Sequence, residues 1–530
     1  MSSLLRSNVT VAAGTAVSRI TGLARVAVLG IVLSQGPVTD AYDQANGTPN
    51  MIYELLLGGV LSATLVPLFT RLHDDDDDEA TSAVISVGIV VLAAITLIAV
   101  AAAPLIFRMY SLLTSGEVAA DQYRTAGTLL ARIFLVQIFF YGLNAIGAAV
   151  LNSRRRYFAA AWAPALSNVV IIAALMLVPN TVDHRIPVLD DVIGNGKLRW
   201  TLGLGATVGI AVMAIALLPA LARAKLRFRF KPEFGHPAVR SLRSLSVWAL
   251  GYVVANQVAI IVIRNLLQPG SGDEDAYTKA FTWFVLPHGL LAVSIATTFL
   301  PELSMAIKRG ERQAVMDRSS LGIRLIALVT LPAGVGLFVL RRAVVGAAFQ
   351  HGKFTAANAL NTSRALAGFA LGLVGFSVYL FVLRVFYAHQ DARTPFIINV
   401  GENLLNIVLA LLLVGRWGLL GLGLAFGLAY LIAAIWSLQV LRYKLPAFPL
   451  QQVVASLWRM GLAALVMAEV VWLVARWIGS NSGQGSVARL VVSTIVGAAT
   501  YVGTLAALQS PELDDLRSRL RPAQTSTEAE

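Results

Sequence analysis

The chain alternates apolar blocks of about twenty residues with short polar punctuation along its whole length, the pattern of a polypeptide that crosses a bilayer repeatedly. A hydrocarbon core about 30 Å thick needs about 20 helical residues per crossing at a rise of about 1.5 Å. On that basis the sequence predicts fourteen transmembrane helices, at 10–34, 41–70, 82–107, 126–151, 157–178, 200–222, 244–266, 276–301, 319–340, 360–387, 395–415, 417–441, 455–476 and 487–509. The first apolar block contains Arg19 and Arg25, and no small-residue cleavage site follows a compact apolar region, so it reads as a retained helix and not a signal peptide.

Three landmarks recur along this pattern. Val66-Pro67 near the end of the second predicted helix matches Leu300-Pro301 near the end of the eighth, 234 residues later. The turn Asn152–Arg156 resembles His389–Arg393, at an offset of 237. Gly203, Gly205 and Gly209 in the sixth helix return as Gly421, Gly423 and Gly427 in the twelfth at an offset of 218, shortened because the loop at Pro179–Arg199 shrinks to Gly415-Arg416-Trp417 in the second half. Six helices separate matching elements. An even number keeps both halves in the same orientation, related by a pseudo-twofold axis along the membrane normal. The expected fold is therefore an all-α polytopic membrane protein of two six-helix lobes plus two extra C-terminal helices. Its expected organisation is an N-lobe at 1–222, a basic cytoplasmic linker at 223–243, a C-lobe at 244–445, the last two helices at 446–509 and a cytoplasmic tail at 510–530.

Composition agrees: 57% of residues are hydrophobic and 13% charged, about half the usual charged fraction. With no cysteine, disulfides, Cys-ligated zinc, iron–sulfur clusters and thiol nucleophiles are excluded. The net charge of +13 would suggest nucleic acid if it were spread out, but it is concentrated in particular loops. Arg154, Arg155 and Arg156, the run from Arg223 to Arg243, Lys308 to Arg318, Arg442 and Lys444, and the tail arginines all fall on one side if the N-terminus is cytoplasmic. Both termini are then inside. The acidic run Asp74–Glu79 lies on the same side and reads as a solvated loop.

The second predicted helix is unusually polar. Asp40, Asp43, Gln44, Asn50 and Glu54 share a face about 120° wide at about 100° per residue, with Asn46 off it. Carboxylates at membrane depth cost several kcal/mol unless they line water or meet a partner, so this stripe is expected to face an aqueous cavity. Arg19 and Arg25 of the first helix offer partner charges. The plainer alternative is a set of buried ion pairs that only fixes helix packing. Lys279 either reaches the same cavity or snorkels to the outer interface, and Arg132, Arg264, Arg364 and Arg489 read as interfacial anchors near helix ends. Glu402 with Asn399, Asn403 and Asn406 suggests an ion site less than it suggests cross-linking of neighbouring helices. The glycine patterns follow no strand and read as close helix packing; no P-loop, metal-ligand spacing, Ser-His-Asp arrangement or kinase set is present. A transporter without metal or cofactor is favoured over an enzyme, and a non-transporting scaffold would have no need of a charged face at membrane depth.

Ser18-Arg19-Ile20-Thr21-Gly22-Leu23-Ala24-Arg25, Thr39-Asp40-Ala41-Tyr42, Pro49-Asn50 and Val66-Pro67 resemble the amino-terminal signature of the MviN/MurJ family of lipid II flippases. Val150-Leu151-Asn152 with Pro164 and Asn168, and Arg384–Ala388 followed by Asp391 and Arg393-Thr394-Pro395, extend the resemblance over about residues 1–510. It implies the multidrug/oligosaccharidyl-lipid/polysaccharide exporter fold and alternating access. The expected partners are lipid II, membrane lipids and cell-wall synthesis proteins, with no nucleic acid. It also implies that Arg19 and Arg25 contact substrate; Asn50 and Lys279 are expected to join them, while Asp40, Asp43 and Glu54 of the polar stripe are expected to serve the cavity or coupling. Tyr53-Glu54, Val26 and Thr282 depart from the family pattern, which has arginines where Tyr53, Glu54 and Thr282 stand and an acid at Val26; a lysine at 279, nearly on the face of 282, would restore one charge. Another polyprenyl-linked saccharide or a drug is the alternative cargo.

Overall fold

The computed structural model describes residues 3–53, 61–224, 227–239 and 247–513, and every regular element among them is helical. The chain forms two compact units, Met1–Lys279 with Phe349–Thr362, and Ala280–Ala348 with Ser363–Glu530.

The first unit contains α1 (Ser3–Leu33), α2 (Pro37–Tyr53), α3 (Leu61–Asp74), α4 (Asp78–Ala101), α5 (Ala103–Tyr110), α6 (Ala120–Phe134), α7 (Gln137–Ser153) and α8 (Phe158–Leu177). It continues with the short α9 (Leu189–Gly194), α10 (Gly196–Ile215), α11 (Leu218–Arg223), α12 (Val247–Leu266) and the first two turns of α13 (Asp273–Pro287). Its core is apolar and tightly filled, with Leu33, Phe107, Tyr123, Phe134 and Leu198 each at most 2% exposed and the ring of Tyr42 edge-on to Phe134 at 5.2 Å. Asn168 of α8 donates to the Ser18 carbonyl and to Thr21 Oγ1, which fixes the rotation of α1.

In the second unit a π turn at His288–Ala292 interrupts the helical path after Pro287, followed by α14 (Val293–Lys308), α15 (Arg312–Phe349), α16 (Ala356–Ala388), α17 (Arg393–Lys444), α18 (Leu450–Ile478) and α19 (Gly483–Ala507). Gly423 and Gly427 lie directly against the backbone of Ala365, Gly368 and Gly372 on α16, where a Cβ would come within 2.7 Å of carbonyl oxygens. Close packing is thus the work of the twelfth-helix glycines.

Eleven helices among the described residues are long and apolar enough to cross a membrane. One of them, α17, covers two predicted crossings: it breaks at Gly418 (φ 52°, ψ −131°), and Gly401 meets Trp436 across the reversal. Together with a shorter apolar helix at Val254–Leu266 and with α2 and α3, this is consistent with fourteen crossings. Pro67 and Pro301 do not end their helices, as the landmarks suggested; α3 runs on to Asp74 and α14 to Lys308. In lipid, a proline is tolerated inside a helix because neighbouring groups satisfy the freed carbonyl.

The acidic run is only partly a solvated loop. Asp77 accepts the Ala80 N–H at the start of α4, Glu79 pairs with Lys231 at 2.9 Å, and Asp78 pairs with Arg154 at 3.6 Å. The basic segment 227–231 lies extended along α4, with the Arg229 and Lys231 N–H groups donating to Ser82 and Ser86. At the turn between α16 and α17, Asp391 accepts the Thr394 N–H and pairs with Lys444. Partial burial pushes its carboxyl up, but the Lys444 and Thr394 hydrogen bonds outweigh this and leave it at about 2. Its folded value lies below the ordinary carboxylate value of about 3.9, so the stabilisation is complete above pH 4 and is lost as pH falls toward 2. Asp391→Asn is expected to lower the melting temperature at pH 7 and to leave it unchanged near pH 2; equal melting at pH 7 would remove this pair from the stability of the turn.

Candidate functional site

The first three turns of α2 sit at the end of the first unit where α1 gives way to α2 through Ser34–Gly36. Asp40 is fully buried, and its carboxylate accepts three backbone N–H groups, from Gly270 (3.1 Å), Gly272 (2.7 Å) and Asp275 (3.0 Å). The 267–272 turn can wrap a carboxylate this way because Gly270 and Gly272 adopt φ of +96° and +91°, a region that residues with a Cβ rarely enter. Hydrogen bonds to an ionised acceptor contribute about 1.5–3 kcal/mol each, so this cradle closes the turn onto α2 without a cation.

One turn further, Gln44 is also fully buried. It donates to the Tyr110 carbonyl at 2.7 Å, accepts the Tyr123 hydroxyl at 3.1 Å, and its own carbonyl accepts Arg264 Nη1 at 3.2 Å. Arg264 also pairs with Glu274 at 3.4 Å and stacks over the Tyr110 ring at 5.0 Å. Beside it Asn265 accepts the Leu112 and Leu113 N–H groups and donates to the Met109 carbonyl. Arg264 is therefore no interfacial anchor: at 9% exposure it is a central cation of a packed polar network. The acids that follow it at Asp273–Asp275 were the available signal, since a cation ending one helix and acids opening the next can fold back on each other.

Lys279 is 1% exposed and pairs with Asp275 one turn before it on α13. It does not snorkel. Its ammonium also lies 5.5 Å from the Phe354 ring centroid, and Gly30 of α1 makes room for it, since a Cβ there would come within 2.9 Å of the lysine Cε. Asp43 lies against Asp275 and Lys279, a contact between two acids that the lysine makes tolerable. Glu274 Oε2 is buried with no hydrogen-bond partner. Leaving such a group unsatisfied costs about 1–3 kcal/mol, so this network is packed but not fully satisfied.

The other predicted residues are placed differently. Arg19 is exposed, Arg25 half-buried near Tyr42, and Asn50 exposed. At about 1.5 Å per residue, Arg25 lies about 12 Å, Arg19 about 21 Å and Asn50 about 20 Å along their helices from the α1–α2 turn. The polar stripe thus divides: Asp40, Gln44 and Thr48 are each at most 1% exposed, whereas Asn50, two residues beyond Thr48, faces outward. Glu54 lies outside the described residues. A pocket of about 440 Å³ at the same end, lined by residues including Ser34, Gln35, Pro37, Gln122 and Asp190, contains none of the predicted site residues. Among the described residues no group of three or more His, Cys, Asp or Glu side chains is arranged to hold a metal ion.

Comparison with known proteins places this arrangement. The chain is 25% identical over 507 residues to the probable lipid II flippase MurJ of Rhizobium meliloti, covering 94% of this chain and 92% of that one. It is 26% identical over 513 residues to the lipid II flippase MurJ of Burkholderia cenocepacia, covering 95% and 97%. Among solved structures, lipid II flippase MurJ in an inward closed conformation superposes with a TM-score of 0.76 at 22% identity, over 94% of this chain and 98% of that one. An inward-facing multidrug resistance MATE family transporter of the MOP superfamily superposes at 0.65 with 15% identity, over 81% and 95%. These two likenesses establish a shared multi-pass membrane fold. The family described as "Lipid II flippase MurJ" matches residues 30–493, and this chain belongs to it.

Proposed function

We propose that the protein moves lipid II from the cytoplasmic to the outer leaflet of a bacterial plasma membrane, with its head passing along the polar face of α1 and α2 and its polyprenyl tail left in lipid. The observation that carries this reading is the division of the polar positions on α1 and α2: a packed polar network at one end of the first unit, and further along α1 an exposed Arg19 and a half-buried Arg25. Guanidinium groups match pyrophosphate oxygens bidentately, and an open pair on one helix suits a pyrophosphate better than a packing role does. Lys279, engaged by Asp275, then serves to hold the end shut until the cargo has entered. With the N-terminus and the basic loops on the cytoplasmic side, two negative charges leave an inside-negative cell, a gain of about 2.3 kcal/mol each per 100 mV. Depleting the protein is expected to trap lipid II in the inner leaflet; normal outer-leaflet lipid II under full depletion would overturn the assignment.

The division of α2 gives a second test. The native chain has no cysteine, so single cysteines report cleanly. Asn50→Cys is expected to react with a water-soluble thiol reagent, while Thr48→Cys, at a position 1% exposed, stays protected. Protection of both in every condition would make α2 a packed seam throughout and take it out of the cargo path.

A further inference from the structure

Charge is left uncompensated in the second unit. Arg341 and Arg342 stand near the end of α15, about 43 Å along the helix from Arg312 at about 1.5 Å per residue. That span matches the headgroup-to-headgroup thickness of a bilayer, about 40–45 Å, so these arginines lie at headgroup level on the face opposite the basic loop at Lys308–Arg312. Arg342 is exposed and acts electrostatically on both Arg341 and Arg489 of α19, a meeting of like charges. Arg341 bends back to its own helix, donating to the Phe338 carbonyl at 2.6 Å and lying over the Phe338 ring.

Arg489 is held in place from one side only. Its Nη1 donates to Asn481 Oδ1 at 2.7 Å and to the Ser480 carbonyl at 3.3 Å, while its Nε is buried with no hydrogen-bond partner. None of the ion pairs among the described residues includes Arg341, Arg342 or Arg489. Helix α19 has no acidic residue, and the single acid of α18, Glu469, is exposed. Neighbouring guanidinium groups with a buried, unsatisfied donor call for a shared anion, and the planar donor fork fits phosphate oxygens. The surroundings indicate that this anion belongs to a lipid. Trp477 is 88% exposed, Arg476 stacks on Trp472, and Val492, one turn after Arg489 on α19, is an exposed apolar side chain. Tryptophans of this kind sit at the headgroup level, with acyl chains below.

We propose that Arg342 and Arg489 hold the phosphate of a membrane lipid headgroup at the ends of α15 and α19 remote from the basic loops. The site does not depend on the reading of α1 and α2. Its test is lipid retention by the purified full-length protein in nanodiscs or detergent, read by native mass spectrometry. Wild type is expected to retain phosphatidylglycerol over phosphatidylcholine, and Arg342→Gln/Arg489→Gln to lose about tenfold in retention, the effect of about 1.4 kcal/mol. A parallel arm with undecaprenyl pyrophosphate identifies the source: preference for it over phosphatidylglycerol assigns the site to the cargo class, and the reverse to bulk phospholipid. Arg342→Gln alone, at an exposed side chain that makes no bond, keeps the test readable if the double variant is unstable, and Arg364→Gln is the control that leaves retention unchanged. Equal retention of both lipids by wild type and variants of equal melting temperature would overturn the proposal, as would binding of inorganic phosphate with no lipid retained.

Discussion

Arg25→Ala and Arg19→Ala are each expected to abolish growth in a strain depleted of its own flippase, with the variants present in the membrane at normal levels. Neither arginine forms an ion pair among the described residues, and Arg19 is exposed, so removing either leaves the helix packing of α1 on α8 intact. On the proposed reading, what is lost is contact with the cargo. Two charge-assisted hydrogen bonds at about 1.5–3 kcal/mol each amount to about a hundredfold or more in binding. Arg25→Lys keeps the charge and loses the two-pronged geometry, and is expected to retain part of the activity. Growth at wild-type rates from both alanine variants would show that the pyrophosphate is held elsewhere.

Lys279→Ala is the second substitution of large expected effect, for a different reason. It strips the partner from Asp275 at a position 0% exposed and leaves two adjoining acids, Asp43 and Asp275, in an apolar surround. Breaking one side of a buried pair destabilises by about 3–5 kcal/mol, because the remaining charge is uncompensated. The variant is therefore expected to lose both thermal stability and transport. Lys279→Ala/Asp275→Asn removes that charge and is expected to regain much of the stability, whereas an arginine at Thr282 with Lys279→Ala cannot, since it leaves Asp275 unpaired. Full stability of Lys279→Ala alone would mean that the pair contributes nothing to closing this end, and recovery by Thr282→Arg in place of Asp275→Asn would return Lys279 to a direct role with the cargo.

The repeated membrane crossings and the helical fold were legible in the sequence because bilayer thickness imposes a length on each apolar run, whatever the helices later pack against. The polar stripe on α2 was legible for a similar reason: helical periodicity places Asp40, Asp43, Gln44 and Asn50 on one face without reference to any neighbour. Only the tertiary structure decided which part of that face is sealed. The cradle for Asp40 comes from Gly270, Gly272 and Asp275, about 230 residues away, and depends on backbone N–H groups that every sequence contains. On its own helix Arg264 read as an interfacial anchor and Lys279 as either a cavity or an interface charge, but burial against Glu274 and Asp275 made both internal. Periodicity tells which residues share a face; what covers that face is settled by segments distant in the chain, and burial then determines whether a charge binds a ligand or another side chain.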